Sequence, residues 1–308
     1  MYFENVLKAV GNTPLIRLNR MTGADDAEVL VKFEGVNIGG SIKTRTALNM
    51  IEAAERKGLL TKSSIIVEPT SGNQGIGLAL VGAVKGYQVI IIMPDSVSRE
   101  RRKLITQYGA QLILIHDKGD IGECIDKCIR KARQMAEEDP RVFVPDQFSN
   151  PDNTAAHLLH TGIEIVRDAD GPIHGFCSGI GTGGTLSGIG SVLRKYNPDV
   201  RIVAAEPENA AILSGGGIGS HIQMGIGDGL IPPILDRSII DDIQIVTDEE
   251  ALETTKRLAR EEGILCGISS GTNVFAALKM ARELGRGKRV VTLLPDTGER
   301  YYSTILFD

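Results

Sequence analysis

No run of about 18 apolar residues occurs in this 308-residue chain, so no membrane-spanning helix is predicted. No basic block occurs either. The 34 Lys and Arg are interspersed with 39 Asp and Glu for a net charge of −5, which argues against a nucleic-acid partner. The first residues, Met1-Tyr2-Phe3-Glu4-Asn5, have neither a charged n-region nor an apolar h-region, so no secretory signal is expected. Cysteine is scarce: four residues, with no CxxC pair. Cys124 and Cys128 are four apart on an apolar helical stripe with Ile121, Ile125 and Ala132, and read as core rather than as a metal site or disulfide. None of the five histidines falls in a metal-binding pattern. His157 and His160, three apart on a predicted helix, read as structural. What remains is an enzyme or binding protein of a reducing compartment, expected to be cytoplasmic and metal-free.

Short β-branched runs at 65–68, 88–93, 111–115, 142–144, 173–177, 201–205 and 290–294 alternate with amphipathic segments at 42–56, 74–85, 98–108, 121–138, 185–195, 248–262 and 272–284. The strand runs are almost continuously apolar, as strands covered on both faces must be. Gly58, Gly86, Gly109, Gly263 and Gly285 stand where helix C-caps belong. The alternation predicts an α/β fold with parallel-rich twisted sheets flanked by helices, in two domains. The polar, proline-bounded stretch from Pro145 to Pro151 marks the division.

Three polar or glycine-rich turns carry the chemistry. Gly39-Gly40-Ser41-Ile42-Lys43 places an amine at the predicted start of a helix. Partial burial and the positive end of the helix dipole both disfavour its ammonium form, and a neutral amine can form an imine. Most lysines are solvated charges, and alone Lys43 would be read as one. Thr70-Ser71-Gly72-Asn73-Gln74-Gly75 follows a strand and opens a helix, a geometry that binds carboxylates. A simple N-cap would need only Ser71 or Asn73. Gly179-Ile180-Gly181-Thr182-Gly183-Gly184-Thr185 also joins strand to helix and suits a phosphate. Its spacing loosely matches a dinucleotide fingerprint, with Glu206 about 20 residues on, so a nucleotide-binding oxidoreductase stays open as an alternative. Ser269, in Gly267-Ile268-Ser269-Ser270-Gly271, offers an uncharged hydroxyl to a ring nitrogen or caps a helix. Together the turns suit a phosphorylated aldehyde cofactor.

In this order, from Gly11-Asn12-Thr13-Pro14-Leu15 to Gly298-Glu299-Arg300-Tyr301, the segments resemble the cysteine synthase / cystathionine β-synthase family of pyridoxal-phosphate enzymes, of the tryptophan-synthase-β fold type. The resemblance implies pyridoxal 5′-phosphate as cofactor and Lys43 as its Schiff-base lysine and proton carrier. It implies Asn73 at the ring hydroxyl, Gly181, Thr182, Gly183, Gly184 and Thr185 at the phosphate, and Ser269 at the pyridine nitrogen. Thr70, Ser71, Gln74 and Gln147 would hold the substrate carboxylate, and Gly225 would line the cleft opposite. It also implies a smaller mobile domain over 39–148, a larger phosphate-binding domain over 149–308, a segment 1–38 packed on the latter, and a homodimer. The implied reaction is β-replacement through an α-aminoacrylate: O-acetyl-L-serine and sulfide give L-cysteine and acetate. Three residues depart from the family pattern: Thr44 in place of aspartate, Gln74 in place of threonine, and Asp228 in place of a small residue. Asp228 could act as a base toward water or another nucleophile and would repel hydrosulfide. The alternative is therefore an enzyme that consumes cysteine, releases sulfide and forms serine or a related β-substituted alanine.

Overall fold

The computed structural model describes residues 2–118 and 121–308. Among the described residues, ten strands form two sheets. The smaller sheet has the order β5-β4-β3-β6, with β3 at Ile65–Pro69, β4 at Gln88–Pro94, β5 at Gln111–Ile115 and β6 at Val142–Phe143, all parallel. Side chains alternate across it. Ile66, Val89, Ile91 and Met93 join one core with α1 (Lys43–Arg56), α2 (Asn73–Lys85) and α3 (Arg99–Gln107). Ile65, Val67, Ile90 and Ile92 join another with Cys128 and Ala132 of α4 (Ile121–Glu138). Burial raises the Cys128 thiol to about 12, which suits its place in that core.

The larger sheet has the order β1-β2-β10-β7-β8-β9. Here β1 is Leu15–Arg17, β2 Glu28–Phe33, β7 Gly175–Gly179, β8 Arg201–Pro207, β9 Asp242–Val246 and β10 Arg289–Leu294. Only the β1–β2 pair is antiparallel. Val29, Cys177, Val203 and Val290 face one core, which includes α9 (Ile268–Leu284). Phe176, Ile202, Ala204 and Val291 face the other, which includes α7 (Gly184–Tyr196). Two further helices, α5 (Pro151–Ala156) and α6 (Gly162–Asp168), are joined by a π-helical turn at His157–Thr161, and α8 (Asp248–Glu262) packs on α9.

The alternation of strand and helix recovers most of this plan. The five C-cap glycines all have positive φ, between 69° and 87°. Three strands were not anticipated. β2 is interrupted by Lys32, fully buried because its Nζ donates to Thr13 O at 2.6 Å and meets Glu164 at 2.9 Å. β1 has three residues, and β9 is a half-exposed edge. Helix α9 starts at Ile268, four residues before the predicted start. Its first turn lies against α8 so closely that a Cβ on Gly271 would fall 1.9 Å from Ala251 O. That approach overrides the weak helix propensity of Ser269, Ser270 and Gly271.

Among the described residues, no helix is long and apolar enough to cross a membrane, and no cluster of His, Cys, Asp and Glu could hold a metal ion.

Candidate active site

Loops at the C-terminal ends of strands from both sheets face one cleft. Lys43, Thr70, Ser71, Asn73, Gln74, Gln147, Gly181, Thr182, Gly183, Thr185, Gly225, Asp228 and Ser269 all line it. Gly184 does not; it is the first residue of α7, behind the loop, where a Cβ would lie 2.5 Å from Asn153 Oδ1.

Lys43 is the first residue of α1, and Ile42 before it gives no side-chain cap. Burial lowers the Lys43 pKa, partly opposed by the Asp228 charge. Burial raises the Asp228 pKa, opposed by Lys43 and then His221. Amine and carboxyl are thus both displaced toward their neutral forms.

The loop after β7 is shaped to receive an anion. Gly183 adopts φ 79° as N-cap of α7 and contributes no capping side chain, which leaves the helix N-terminus open. A Cβ on Gly181 would fall 2.4 Å from Gly225 O, so only glycine lets the opposite wall approach. Thr182 Oγ1 accepts from Asn153 Nδ2 at 3.1 Å, and Thr185 Oγ1 lies 3.2 Å from His157 Nε2. His157 is fully buried, with its pKa held well below the usual value first by burial and then by Lys43 and Arg45. It is neutral, as a structural histidine should be, yet it braces a cleft residue. Its spacing in sequence carries no sign of that contact.

The loop after β3 turns at Gly72, with φ 143°, where a Cβ would meet Arg101 Cδ at 2.4 Å. Thr70 Oγ1 accepts from Gly72 N at 3.2 Å. Gln74 is held at Oε1 by Thr46 at 2.7 Å, while its Nε2 is buried without a partner. Asn73 donates to Asp296 at 2.7 Å and accepts from Arg300 at 2.5 Å. Gln147 is placed by Glu68, whose carboxylate accepts from the backbone N–H of Asp146 and of Gln147, both at 3.0 Å. Burial raises Glu68 to about 8, against the lowering effect of those two hydrogen bonds.

One residue has a different place from the one considered for it in sequence. Glu206, the candidate ribose-binding acid, already accepts from Leu213 N and from Ser214 N and Oγ. That carboxylate is committed to its own loop, which removes the main support for a dinucleotide site. Thr44 is buried with no partner for Oγ1, and a Cβ on Gly39 would lie 2.6 Å from it. Sequence reasoning missed Arg101, Met224 and Asn273, which also line the cleft. Asn273 ties the ends of two strands, accepting from Gly179 N at 2.6 Å and donating to Leu293 O at 2.9 Å. Arg101 had no signal beyond being one of several arginines in a polar helix.

An amine displaced toward neutrality, an open helix N-terminus behind glycines, an unpartnered amide and a buried hydroxyl form a donor set that fits pyridoxal 5′-phosphate. Residues 6–296 match the family model described as "Pyridoxal-phosphate dependent enzyme". The chain is 48% identical over 305 residues to cysteine synthase of Staphylococcus aureus, covering 99% of this chain and 97% of that one. Among solved structures, it is similar to O-ureido-L-serine synthase at 44% identity and TM-score 0.95, covering 100% of this chain and 96% of that one. A hydrogen sulfide-producing enzyme of Fusobacterium nucleatum is 41% identical with TM-score 0.92, covering 97% of this chain and 100% of that one. The chain therefore belongs to the pyridoxal-phosphate-dependent enzymes and is a homologue of cysteine synthase.

Proposed function

We propose that the cleft catalyses β-replacement on a small amino acid, forming L-cysteine and acetate from O-acetyl-L-serine and sulfide. The observation that carries this reading is Lys43, an amine with lowered pKa at the wall of a cleft whose other walls are anion-binding loops. When bound, pyridoxal 5′-phosphate supplies electron withdrawal from the substrate Cα. Lys43 Nζ takes the Cα proton and later returns it. Gly181, Thr182, Gly183 and Thr185, with Gly184 behind them, would hold the phosphate, and Ser269 would serve the ring nitrogen. Asn73, now bonded to Asp296 and Arg300, would serve the ring hydroxyl. Thr70, Ser71, Gln74 and Gln147 hold the substrate carboxylate, with Gly225 opposite.

Residues 39–148 carry their own sheet and most of two cores, one of which Leu7 and Ile38 also join, which supports their closing over the substrate and excluding water. The reading includes a homodimer, as the family resemblance implies, in the cytoplasm, as the composition leads one to expect. The four cysteines are free and buried, which agrees with a reducing compartment.

Asp228 favours a second reading, in which cysteine is consumed and sulfide released. Its carboxyl lines the cleft near Lys43 with a raised pKa, which suits a base toward water or a thiol. Product analysis with O-acetylserine plus sulfide, in parallel with cysteine alone, tests both. Cysteine as dominant product supports synthesis. Sulfide with serine or another β-substituted alanine supports the second reading, and neither product sinks both.

A further inference from the structure

Arg101 is 3% exposed, lines the cleft and is not satisfied there. Its Nε is buried without a partner. One terminal nitrogen lies 2.7 Å from Met224 Sδ, a weak acceptor. The other is 3.8 Å from Asp296, beyond hydrogen-bond reach. The guanidinium also stacks 4.7 Å from the Tyr301 ring centre. Asp296 is itself shared. Its Oδ2 already accepts from Asn73 at 2.7 Å and from Tyr301 at 2.9 Å. A second guanidinium, Arg300, is equally buried; it donates to Asn73 and to Gly39 O, and its own Nε also has no partner. Asp296, whose Oδ1 has no partner, is the carboxylate whose charge reaches both buried guanidiniums without a hydrogen bond to either, and their positive charge opens to the cleft through Arg101, since Arg300 does not line it. A buried charge of this kind calls for an anion.

We propose that Arg101 is a specificity residue that receives a carboxylate of the reacting amino acids, in addition to the loop that opens α2. The proposal rests on the β-replacement reading for its choice of ligands. Two sources share the chemistry: the α-carboxylate of the β-substituted donor, and the carboxylate of an incoming thiol amino acid. A guanidinium presents a planar fork matched to either.

The test uses the holoenzyme and its Arg101→Met and Arg101→Lys variants. Loss of the β-substituent from O-acetylserine is measured apart from addition at Cβ. The nucleophiles are homocysteine, 2-mercaptoethylamine, which lacks the carboxylate, and sulfide. If the ligand is the donor's carboxylate, Arg101→Met raises KM for O-acetylserine about 10- to 100-fold with a smaller change in kcat. If it is the nucleophile's, wild type prefers homocysteine to 2-mercaptoethylamine, and Arg101→Met removes that preference by a similar factor. Arg101→Lys restores part of either effect. A uniform loss across all nucleophiles with no shift in KM overturns the proposal. So does a wild type that treats homocysteine and 2-mercaptoethylamine alike while Arg101→Met leaves KM for O-acetylserine unmoved. The thermal unfolding midpoint against acetate concentration gives a readout without turnover. Acetate protection that is lost in Arg101→Met supports the anion site even if O-acetylserine is not a substrate, whereas equal protection of both forms counts against it.

Discussion

Arg45 and Arg101 are both buried, and both lie on helices that border the cleft, but one network is closed and the other open. Arg45 Nε donates to Glu34 at 2.8 Å, Nη1 to Glu164 at 2.7 Å, and Nη2 to Thr13, Glu34 and Glu164 at 2.7 to 3.1 Å. Lys32 meets the same Glu164. Burial opposes the charge on Arg45, yet Glu34 and Glu164 together raise its pKa. Every guanidinium nitrogen has an acceptor, so the network asks for no ligand and locks the helix that carries Lys43 onto the end of β2 and onto α6. Arg101 has the same burial and a fraction of the partners. The lesson is that a buried charge is read by what its neighbours leave unfilled. A closed network organises a catalytic helix, and an open one beside a cleft marks where a ligand belongs.

The largest effect should separate chemistry from scaffold. Lys43→Ala should reduce turnover by at least ~10³-fold, since it removes the proton carrier, while the thermal midpoint stays near wild type because the Arg45 network is untouched. A collapse of the fold would show that the two are not separable.

Breaking the closed network should be costly in stability. Arg45→Met leaves Glu34 and Glu164 buried without their partner and should cost about 3–5 kcal/mol in denaturant unfolding. Arg101→Met removes surplus charge together with a ring contact, the Met224 contact and a long pairing with Asp296, and should cost about 1–2 kcal/mol, less than Arg45→Met. Equal costs for the two would break the comparison.

Asp228→Asn should slow addition of water or thiol at Cβ by about 10²-fold while changing loss of the β-substituent much less. Separate measurement of the two half-reactions checks this, and equal slowing would argue against a base at that position.

The smallest effects are slopes with pH, and two buried glutamates give them opposite signs. Glu164 is pulled up by burial, but the hydrogen bonds and charges of Arg45 and Lys32 outweigh this and hold it at about 2, below the usual 4.5. Its contribution to stability is therefore present above pH 4.5 and lost as pH falls toward 2. Glu68, raised by burial to about 8, contributes most below pH 4.5, and that contribution is lost as pH rises through about 8. Stability should fall by about 1.4 kcal/mol per pH unit from Glu68 between those values. Glu68→Gln should flatten that limb in urea titrations at stepped pH, and an unchanged slope would remove Glu68 as its source.

The turns at Thr70–Gln74 and Gly181–Thr185 were legible because each joins strand to helix within a few residues, and the turn at Lys43 because its glycines directly precede a helix, so that glycine and hydroxyl placement has a local meaning. The strand of Lys32 was not, because its lysine is tolerated through partners outside the strand, Glu164 and Asp168 far along the chain among them. The bracing of Thr185 by His157, of Gln147 by Glu68 and of Asn73 by Asp296 likewise joins residues 28, 79 and 223 positions apart.

By itself the sequence determined the α/β alternation, the capped helices and the three turns, because helix caps, strand runs and anion-binding loops are written in neighbouring residues. Only the tertiary structure decided which charges are satisfied. Whether Arg45 is closed and Arg101 open depends on carboxylates brought from distant segments into a low-dielectric interior, and no local pattern encodes that pairing.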